Sequence, residues 1–283
     1  ALGGEKGEVD MKQEKNSTID SKINVLDLFS GIGGFSLGLE RTGGFRTVAF
    51  CEINPYCQAV LRKHWPGVPI HEDVKKLTAA DVTDKIGVIC GGFPCQDISS
   101  AGRKVGISGA RSGLWKEYAR IVREFQPQFV IVENSAALLN RGMGDVLGDL
   151  AALGYGCEWH CIPASALGAP HGRDRVWIVA YPDDKSESTS SINDEACWLS
   201  SFSGNHVANT KRGQRPLGWL MERIRREWES TTRNASWHSE DSPLGMGVDD
   251  GLSSRLDRLA ALGNAVVTRI PELLGNAILR AEQ

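Results

Sequence analysis

A cysteine and a glutamate occupy equivalent places after two apolar segments of the sequence. Cys95 follows the apolar residues 87–90 through the short link 91–94, and Glu133 directly follows the apolar residues 129–132. If both segments are parallel strands of one sheet, their carboxyl ends open on a shared crevice, where ligands bind in open α/β sheets. A thiol can attack an electron-poor ring while a carboxyl group donates a proton to that ring. We therefore predict that Cys95 and Glu133 face one substrate.

A glycine-rich turn earlier in the chain is typical of a nucleotide-binding site. Residues 27–34 read Asp-Leu-Phe-Ser-Gly-Ile-Gly-Gly and lead out of the apolar segment 23–28. Glycines at a strand-to-helix turn let the backbone approach a ligand, and the helix N-terminus that follows favours an anionic group. Glu52, at the end of the next apolar segment, is placed to hold ribose hydroxyls. These features predict a nucleoside cofactor and leave open whether it is a dinucleotide or S-adenosylmethionine.

A glycine-rich stretch of basic character follows Cys95. Residues 96–113 carry Arg103, Lys104 and Arg111 among small residues. Such a composition suits a mobile lid that closes on a charged substrate.

The elements that must position these residues alternate between strand and helix patterns, which predicts an α/β sheet. Cys90, within its strand, is expected to point into the sheet rather than into the crevice. Strands are predicted at 23–28, 47–51, 87–90 and 129–132, with a final strand pair at 157–162 and 175–180. Helices are predicted at 37–41, 55–65, 114–125 and 270–279, with further helical spacing at 217–228 and 258–262.

Composition divides the chain into four parts. Residues 1–22 are polar and predict a disordered leader, whereas 23–182 form one α/β domain. Residues 183–254 are rich in Ser, Asn, Thr and Trp, and 255–283 return to helical spacing. The 41% hydrophobic content of the 283 residues is enough for one sizeable core. A net charge of -3 does not exclude a nucleic-acid partner, because a cleft needs only a local basic surface.

The cysteines and the hydropathy indicate an intracellular protein. Seven cysteines are an odd number, and no two have CxxC spacing, so neither a disulfide framework nor a structural zinc site is expected. No metal is predicted. No apolar run is long enough to span a membrane, so we expect a cytoplasmic protein without a membrane partner. Nothing in the sequence indicates an oligomer, and a monomer is the expectation.

Five motifs in order resemble those of the C5-cytosine DNA methyltransferases. The similarity extends over about 24–182 and 255–278, and its compact form resembles phage or prophage members of bacterial origin. It implies the Rossmann-like α/β sheet of S-adenosylmethionine-dependent methyltransferases, with helices on both faces and 183–254 as a short, irregular target-recognition segment. The motifs are residues 27–34, Pro94-Cys95-Gln96, Glu133-Asn134, His171-Gly172-Arg173-Asp174-Arg175 and residues 262–267.

The resemblance implies methyl transfer to carbon 5 of a cytosine that is flipped out of double-stranded DNA. Cys95 would add to carbon 6 as a thiolate, which needs help because a free cysteine has a pKa of about 8.5. Glu133 would hold ring nitrogen 3, and Arg173 and Arg175 would help to position the base.

The resemblance also implies the residues that bind S-adenosylmethionine and DNA. Phe29 and Asp73 would contact the adenine, Glu52 the ribose, and Asn264 the methionine end. The predicted cofactor-binding residues are Phe29, Ser30, Gly31, Gly33, Gly34, Glu52, Ile53, Asp73, Val74, Pro94, Asn264 and Ala265. The predicted DNA-binding residues are Gln96, Ser99, Arg103, Arg111, Arg212 and Arg215, of which the last two lie in the target-recognition segment.

Four features depart from the family pattern, among them two single positions, and two other activities remain as alternatives. Ser135 stands where a valine usually follows Glu-Asn, and His171 stands where a glutamine usually precedes the two arginines. One alternative is an RNA cytosine-5 methyltransferase, and the other is a catalytically silent DNA-binding relative. Intact Cys95, Glu133 and Arg173 argue against the silent relative.

Overall fold

One sheet carries the candidate residues. The computed structural model describes residues 22–94, 113–167, 169, 172–183, 226 and 264–281. Within these residues seven strands form a sheet in the order β3-β2-β1-β4-β5-β7-β6. β1 to β5 are parallel, whereas β7 is antiparallel to both of its neighbours. The strands are β1 (Ile23–Leu28), β2 (Phe45–Cys51), β3 (Ile70–His71), β4 (Val88–Gly91), β5 (Phe129–Ser135), β6 (Tyr155–Pro163) and β7 (Asp174–Pro182).

The helices lie on both faces of this sheet, as predicted. Alternate residues of β5 show it: Val130 and Val132 join an apolar cluster with α3 and α4, whereas Phe129 and Ile131 join a cluster with α1 and α5. Cys90 is buried in the second cluster and points into the fold, as predicted. The helices are α1 (Gly34–Arg41), α2 (Pro55–His64), α3 (Gly113–Phe125), α4 (Met143–Ala152) and α5 (Arg269–Ala281).

Helix α2 begins at the proline that the sequence indicated. Pro55 occupies the first turn, where a missing N–H costs nothing. The Asn54 side chain accepts hydrogen bonds from the backbone N–H groups of Tyr56 and Cys57, at 2.8 and 3.3 Å. This cap fixes the point at which the chain leaves β2, directly after Glu52.

Helix α5 packs against α1 at unusually close range. A Cβ atom on Gly38 of α1 would lie 2.8 Å from Cβ of Pro271, and one on Gly275 of α5 would lie 3.0 Å from Cγ2 of Thr42. Gly38 therefore requires glycine, because its added Cβ would also lie 2.3 Å from the Thr268 carbonyl oxygen, whereas at Gly275 the neighbouring side chains would have to shift. Through this contact α5 reaches the apolar cluster that includes Val25 of β1.

The last two strands form the predicted pair, but β7 lies inside the sheet and β6 at its edge. β7 pairs with β5 so that Arg175 lies opposite Ser135 and Trp177 opposite Glu133. This register brings the basic residues at the start of β7 to the end of β5.

Some predicted boundaries were wrong. α1 begins at Gly34 rather than at residue 37. Gly34 and Ser36 interrupt the apolar pattern from which the start of the helix was predicted. α4 was missed, although Met143, Val146, Leu147 and Leu150 have helical spacing and are buried. The predicted helices 217–228 and 258–262 and the predicted leader lie outside the described residues, Lys22 and Arg226 excepted. In the described part of the chain, no helix combines the length and the apolar character needed to cross a membrane.

Candidate cofactor and catalytic site

The turn after β1 has a backbone conformation that glycine favours. Phe29, Gly31 and Gly33 have φ values of 52°, 55° and 86°. No atom lies within 4 Å of the place where a Cβ on Gly31 would be, so the backbone there is open to a ligand. At Gly33 the opposite holds, because a Cβ would lie 2.6 Å from the Trp65 ring. Gly31 thus faces open space, whereas Gly33 packs against Trp65.

Asp27 and Ser30 hold this turn from beneath. The fully buried Asp27 carboxylate accepts hydrogen bonds from the Ser36 hydroxyl at 2.7 Å and the Ser36 backbone N–H at 3.3 Å. Ser30 donates its hydroxyl to the Asp27 carbonyl oxygen at 2.6 Å, so its side chain supports the turn. Burial raises the pKa of Asp27 to about 8, and the hydrogen bonds from Ser36 oppose part of that shift.

Glu52 joins the turn after β1 to the start of α2. Its two carboxylate oxygens accept hydrogen bonds from the backbone N–H groups of Gly31 and Asn54, each at 2.7 Å. The side chain of the next residue, Ile53, is 75% exposed. An exposed apolar side chain beside a fixed carboxylate is what a nucleoside needs for its base and its ribose hydroxyls.

The ring of Phe29 is supported on one side. It stacks on Tyr118 of α3, with ring centroids 6.4 Å apart and planes inclined by 18°. Tyr118 is itself fixed by donating its hydroxyl to the Ile131 carbonyl oxygen at 3.1 Å. Phe29 is therefore held in place before any ligand arrives.

Asp73 and Val74 follow β3 on the far side of Glu52. The Asp73 carboxylate accepts the Lys75 N–H at 3.0 Å, and its carbonyl oxygen accepts the N–H of Lys76 at 2.9 Å. Val74 is buried, so only its backbone can meet a ligand.

The turn before α5 closes the other side of the β1 turn. A Cβ on Gly34 would lie 3.0 Å from the Val266 carbonyl oxygen, so Gly34 serves close packing between the two segments. Asn264 is exposed and Ala265 is buried immediately before this contact.

The predicted catalytic half of the site lies where β4 and β5 end side by side. A Cβ on Gly92 would lie 2.7 Å from Oε2 of Glu133, so only glycine leaves room for this carboxylate. The buried Asn134 donates its side-chain N–H to the Phe93 carbonyl oxygen at 3.1 Å and fixes the link that leads to Pro94. The strands are parallel neighbours, as predicted. Cys95 itself, with Gln96, Ser99, Arg103 and Arg111, lies outside the described residues, as do Arg212 and Arg215.

Glu133 is paired with an arginine from β7. Nε of Arg175 lies 2.9 Å from Oε1 of Glu133, and the Glu133 side chain is only 12% exposed. Burial raises the pKa of the Glu133 carboxyl, and the cations Arg175 and Arg173 oppose part of that rise. The result is a carboxyl group that binds a proton more readily than usual and is still oriented by a cation.

Several residues were missed as site residues. Asp27, Gly92 and Asn134 were quoted within motifs without a role, because their roles depend on partners at least nine residues distant in sequence. The alternation of β5 could have placed Asn134 inside the fold. Within the described residues, no group of three or more metal-binding side chains occurs.

Fold and geometry define an α/β protein with an open glycine turn and a fixed carboxylate at the carboxyl edge of its sheet, and with a carboxyl–guanidinium pair beside them. The family profile described as C-5 cytosine-specific DNA methylase matches residues 23–226, and the chain belongs to this family. S-adenosylmethionine is the methyl donor that this family uses. The open glycine turn, the fixed carboxylate and the exposed Ile53 fit that cofactor.

Individual relatives agree with the family. The type II methyltransferase M2.BsuMI of Bacillus subtilis (strain 168) is 34% identical over 220 residues, which cover 71% of this chain and 55% of the relative. The type II methyltransferase M.CviJI of Paramecium bursaria Chlorella virus IL3A is 37% identical over 163 residues, or 57% of this chain and 44% of the relative. The chain thus spans about half the length of the curated relatives it matches.

A solved structure shows the same fold. The Entamoeba histolytica methyltransferase EhMeth has a TM-score of 0.61 and 14% sequence identity, over 93% of this chain and 99% of that chain. At this identity the likeness extends to the fold alone.

Proposed function

We propose that this chain transfers a methyl group from S-adenosylmethionine to carbon 5 of cytosine in double-stranded DNA. The observation that carries the proposal is the Glu133–Arg175 pair beside Gly92, at the point where β4 leads into Pro94 and Cys95. Family membership and the type II methyltransferases among the relatives support it.

Cys95 and Glu133 act on opposite parts of the cytosine ring in this proposal. The Cys95 thiolate forms a bond to carbon 6, and the electron pair of the C5–C6 double bond moves to make carbon 5 nucleophilic. Glu133 donates its proton to, or shares it with, ring nitrogen 3, which carries the negative charge of the adduct. When bound, S-adenosylmethionine supplies an electrophilic methyl group. Methyl transfer to carbon 5 leaves S-adenosylhomocysteine. Loss of the carbon 5 proton to water, return of the nitrogen 3 proton to Glu133 and departure of the cysteine sulfur as a thiolate then restore the aromatic ring.

The raised pKa of Glu133 matters for this role. A carboxyl group of ordinary pKa would be ionised at neutral pH and could not supply a proton, whereas burial favours the protonated form. Arg175 orients the group through its hydrogen bond, and Arg173 adds positive charge nearby. We propose Glu133, Arg173 and Arg175, together with Cys95, as the catalytic set.

The cofactor is assigned to the turn after β1 and its neighbours. Glu52 binds the ribose, and Phe29 and Ile53 enclose the adenine. Asp73 and the Val74 backbone contact the edge of the adenine that carries its amino group. The methionine end is bordered by Pro94, Asn264 and Ala265. Gly31 and Gly33 supply the positive φ angles of the turn. Ser30 stabilises it through the hydrogen bond to the Asp27 carbonyl oxygen, and Gly34 lets Val266 pack closely against it. Gln96, Ser99, Arg103, Arg111, Arg212 and Arg215 are proposed to contact DNA.

The test compares the purified chain with its Cys95→Ser variant on unmethylated duplex DNA of mixed sequence. Nucleosides are quantified by mass spectrometry after incubation with S-adenosylmethionine. We expect 5-methylcytosine with the native chain and none with C95S, and bisulfite sequencing of the same DNA then gives the recognised site. Methylation of RNA in place of DNA would reassign the substrate. No methylated base on either polymer would overturn the proposal.

A further inference from the structure

Arg120 on the surface of α3 makes hydrogen bonds to the backbone of another segment. Its Nη2 donates hydrogen bonds to the carbonyl oxygens of Val74 and Leu77, at 2.8 and 2.9 Å. Both carbonyls belong to the segment that follows β3 and directly continues Asp73. The guanidinium thus links a helix to the segment assigned to the adenine of the cofactor.

The other nitrogens of the same guanidinium are fixed by α3 itself. Nε donates to the Glu117 carboxylate at 2.8 Å, and Nη1 donates to the Glu124 carboxylate at 2.7 Å. A planar group that is bonded on three sides has little freedom to rotate. Its two bonds to the segment therefore fix the direction of the Val74 and Leu77 carbonyls relative to α3.

A second tie strengthens the same junction. The other oxygen of the Glu124 carboxylate, Oε2, accepts the backbone N–H of Ala79 at 3.1 Å. Residues 74–79 are thus attached to α3 at three backbone atoms. The same helix supports Phe29 through Tyr118, so α3 contacts both Phe29 and the segment that follows Asp73.

The turn at residues 73–77 has hydrogen bonds of its own that do not involve Arg120. The N–H groups of Lys76 and Leu77 bond the Asp73 carbonyl oxygen and form a local turn, and the side chains of Val74 and Leu77 are buried in the core. The Asp73 carboxylate has one oxygen on the Lys75 N–H, which leaves the other for a ligand. Arg120 adds orientation to a turn that is already formed.

We propose that Arg120 is a positioning residue for adenine recognition: it holds residues 74–77 so that Asp73 can accept a hydrogen bond from the 6-amino group of the cofactor. This inference rests on the proposed role of Asp73. It predicts that Arg120 contributes to selectivity for the amino group and not merely to overall affinity.

The test uses two product analogues that need no DNA. Binding of S-adenosylhomocysteine and of its 6-deamino analogue, in which hydrogen replaces the amino group, is measured by calorimetry on the full chain. We expect the native chain to prefer the amino form, and Arg120→Ala to reduce that preference at least about fivefold, as one charge-assisted hydrogen bond is worth. Arg120→Lys keeps the charge but cannot make the forked contact, so we expect it to restore only part of the preference.

Two controls separate positioning from general damage. Arg46→Ala removes another arginine, whose ion pair with Asp84 is exposed, and is expected to keep the native preference. In an Asp73→Ala background, R120A is expected to have no further effect on the preference, because the two residues act in series. Unchanged melting temperature in R120A and R120K confirms that both variants are folded.

The outcomes are distinct. The proposal is overturned if R120A retains the native preference, or if the native chain shows no preference for the amino form. Analogue binding with the expected preference, but without methylation of any nucleic acid, would overturn the proposed function and leave the role of Arg120 intact.

Discussion

Glu52 and Glu133 occupy matching places, each at the carboxyl edge of a parallel strand, yet their surroundings differ. Glu52 is held by two backbone N–H groups, from Gly31 and Asn54. Glu133 is held by the guanidinium of Arg175, and its Oε2 occupies the space that a Cβ on residue 92 would need. The cofactor half of the site is thus built from backbone contacts, and the catalytic half from side-chain charges.

This difference matches what each half has to do. A carboxylate that accepts two backbone donors keeps one position, which suits a group that binds hydroxyls. A buried carboxyl opposite an arginine is oriented by the cation while burial raises its pKa, which suits a group that has to hold a proton. The partners of a residue, more than its type or its place in a strand, decide its chemistry.

The largest expected effect is on the catalytic half. Glu133→Gln keeps the shape of the side chain and removes its acid, so we expect a loss of methylation rate of roughly 10²- to 10⁴-fold. Affinity for S-adenosylhomocysteine should stay within about twofold, since the cofactor half is built from other residues. Single-turnover rates and calorimetry measure the two quantities. A comparable loss in both would break the division between the halves.

Gly92→Ala tests the same half by a steric change that leaves every charge in place. The added Cβ would lie 2.7 Å from Oε2 of Glu133 and must displace that carboxyl, a change that costs about 1–3 kcal/mol in packed sites. We expect a rate loss of about 10- to 100-fold with unchanged cofactor affinity. Gly144→Ala, at a helix position with open space around it, is the matched control and should retain native activity.

Glu52→Gln tests the cofactor half. Glutamine offers one oxygen, so either Gly31 or Asn54 loses its acceptor and its N–H meets an amide N–H₂ group. We expect the KM for S-adenosylmethionine to rise about tenfold, with kcat changed less than threefold, in steady-state assays. A fall in kcat with unchanged KM would place Glu52 in the catalytic half instead.

The smallest effect on activity is expected at Asp27, a third buried carboxyl that has hydrogen bonds but no cation. The folded chain keeps its proton up to a pH of about 8, whereas the unfolded chain releases it near pH 3.8. Folding stability should therefore fall as the pH rises from about 4 to 8, by up to about 1.4 kcal/mol per pH unit. In Asp27→Asn this contribution to the slope should vanish. Urea unfolding of both chains at pH 5, 6, 7 and 8 measures it, and parallel slopes would refute the assignment.

Much of the fold followed from local patterns. The apolar segments predicted β1, β2, β4 and β5, and Pro55 marked the start of α2. The strand ends then placed Glu52 and Glu133 at one edge of the sheet. These predictions succeeded because periodicity and capping depend on neighbours in sequence.

What local patterns could not supply was pairing across distance. The place of β7 between β5 and β6 decides that Arg175 meets Glu133, and no spacing in the sequence indicates a strand order. The bonds from Arg120 to the Val74 and Leu77 carbonyls span more than 40 residues, and helical periodicity placed Arg120 only on an ordinary polar surface.

The contact between α1 and α5 sets an order of events during biosynthesis. Val25, Phe35 and Leu39 leave the ribosome early, but their cluster is completed by Ile270, Leu274 and Ile278. At roughly 5–20 residues per second, the nascent chain waits on the order of ten seconds or more for those partners. One face of the sheet can be covered by α3 and α4 during that interval, while the apolar surface of α1 stays open. On the face that carries α1 the growing polypeptide keeps apolar surface exposed until α5 has been made.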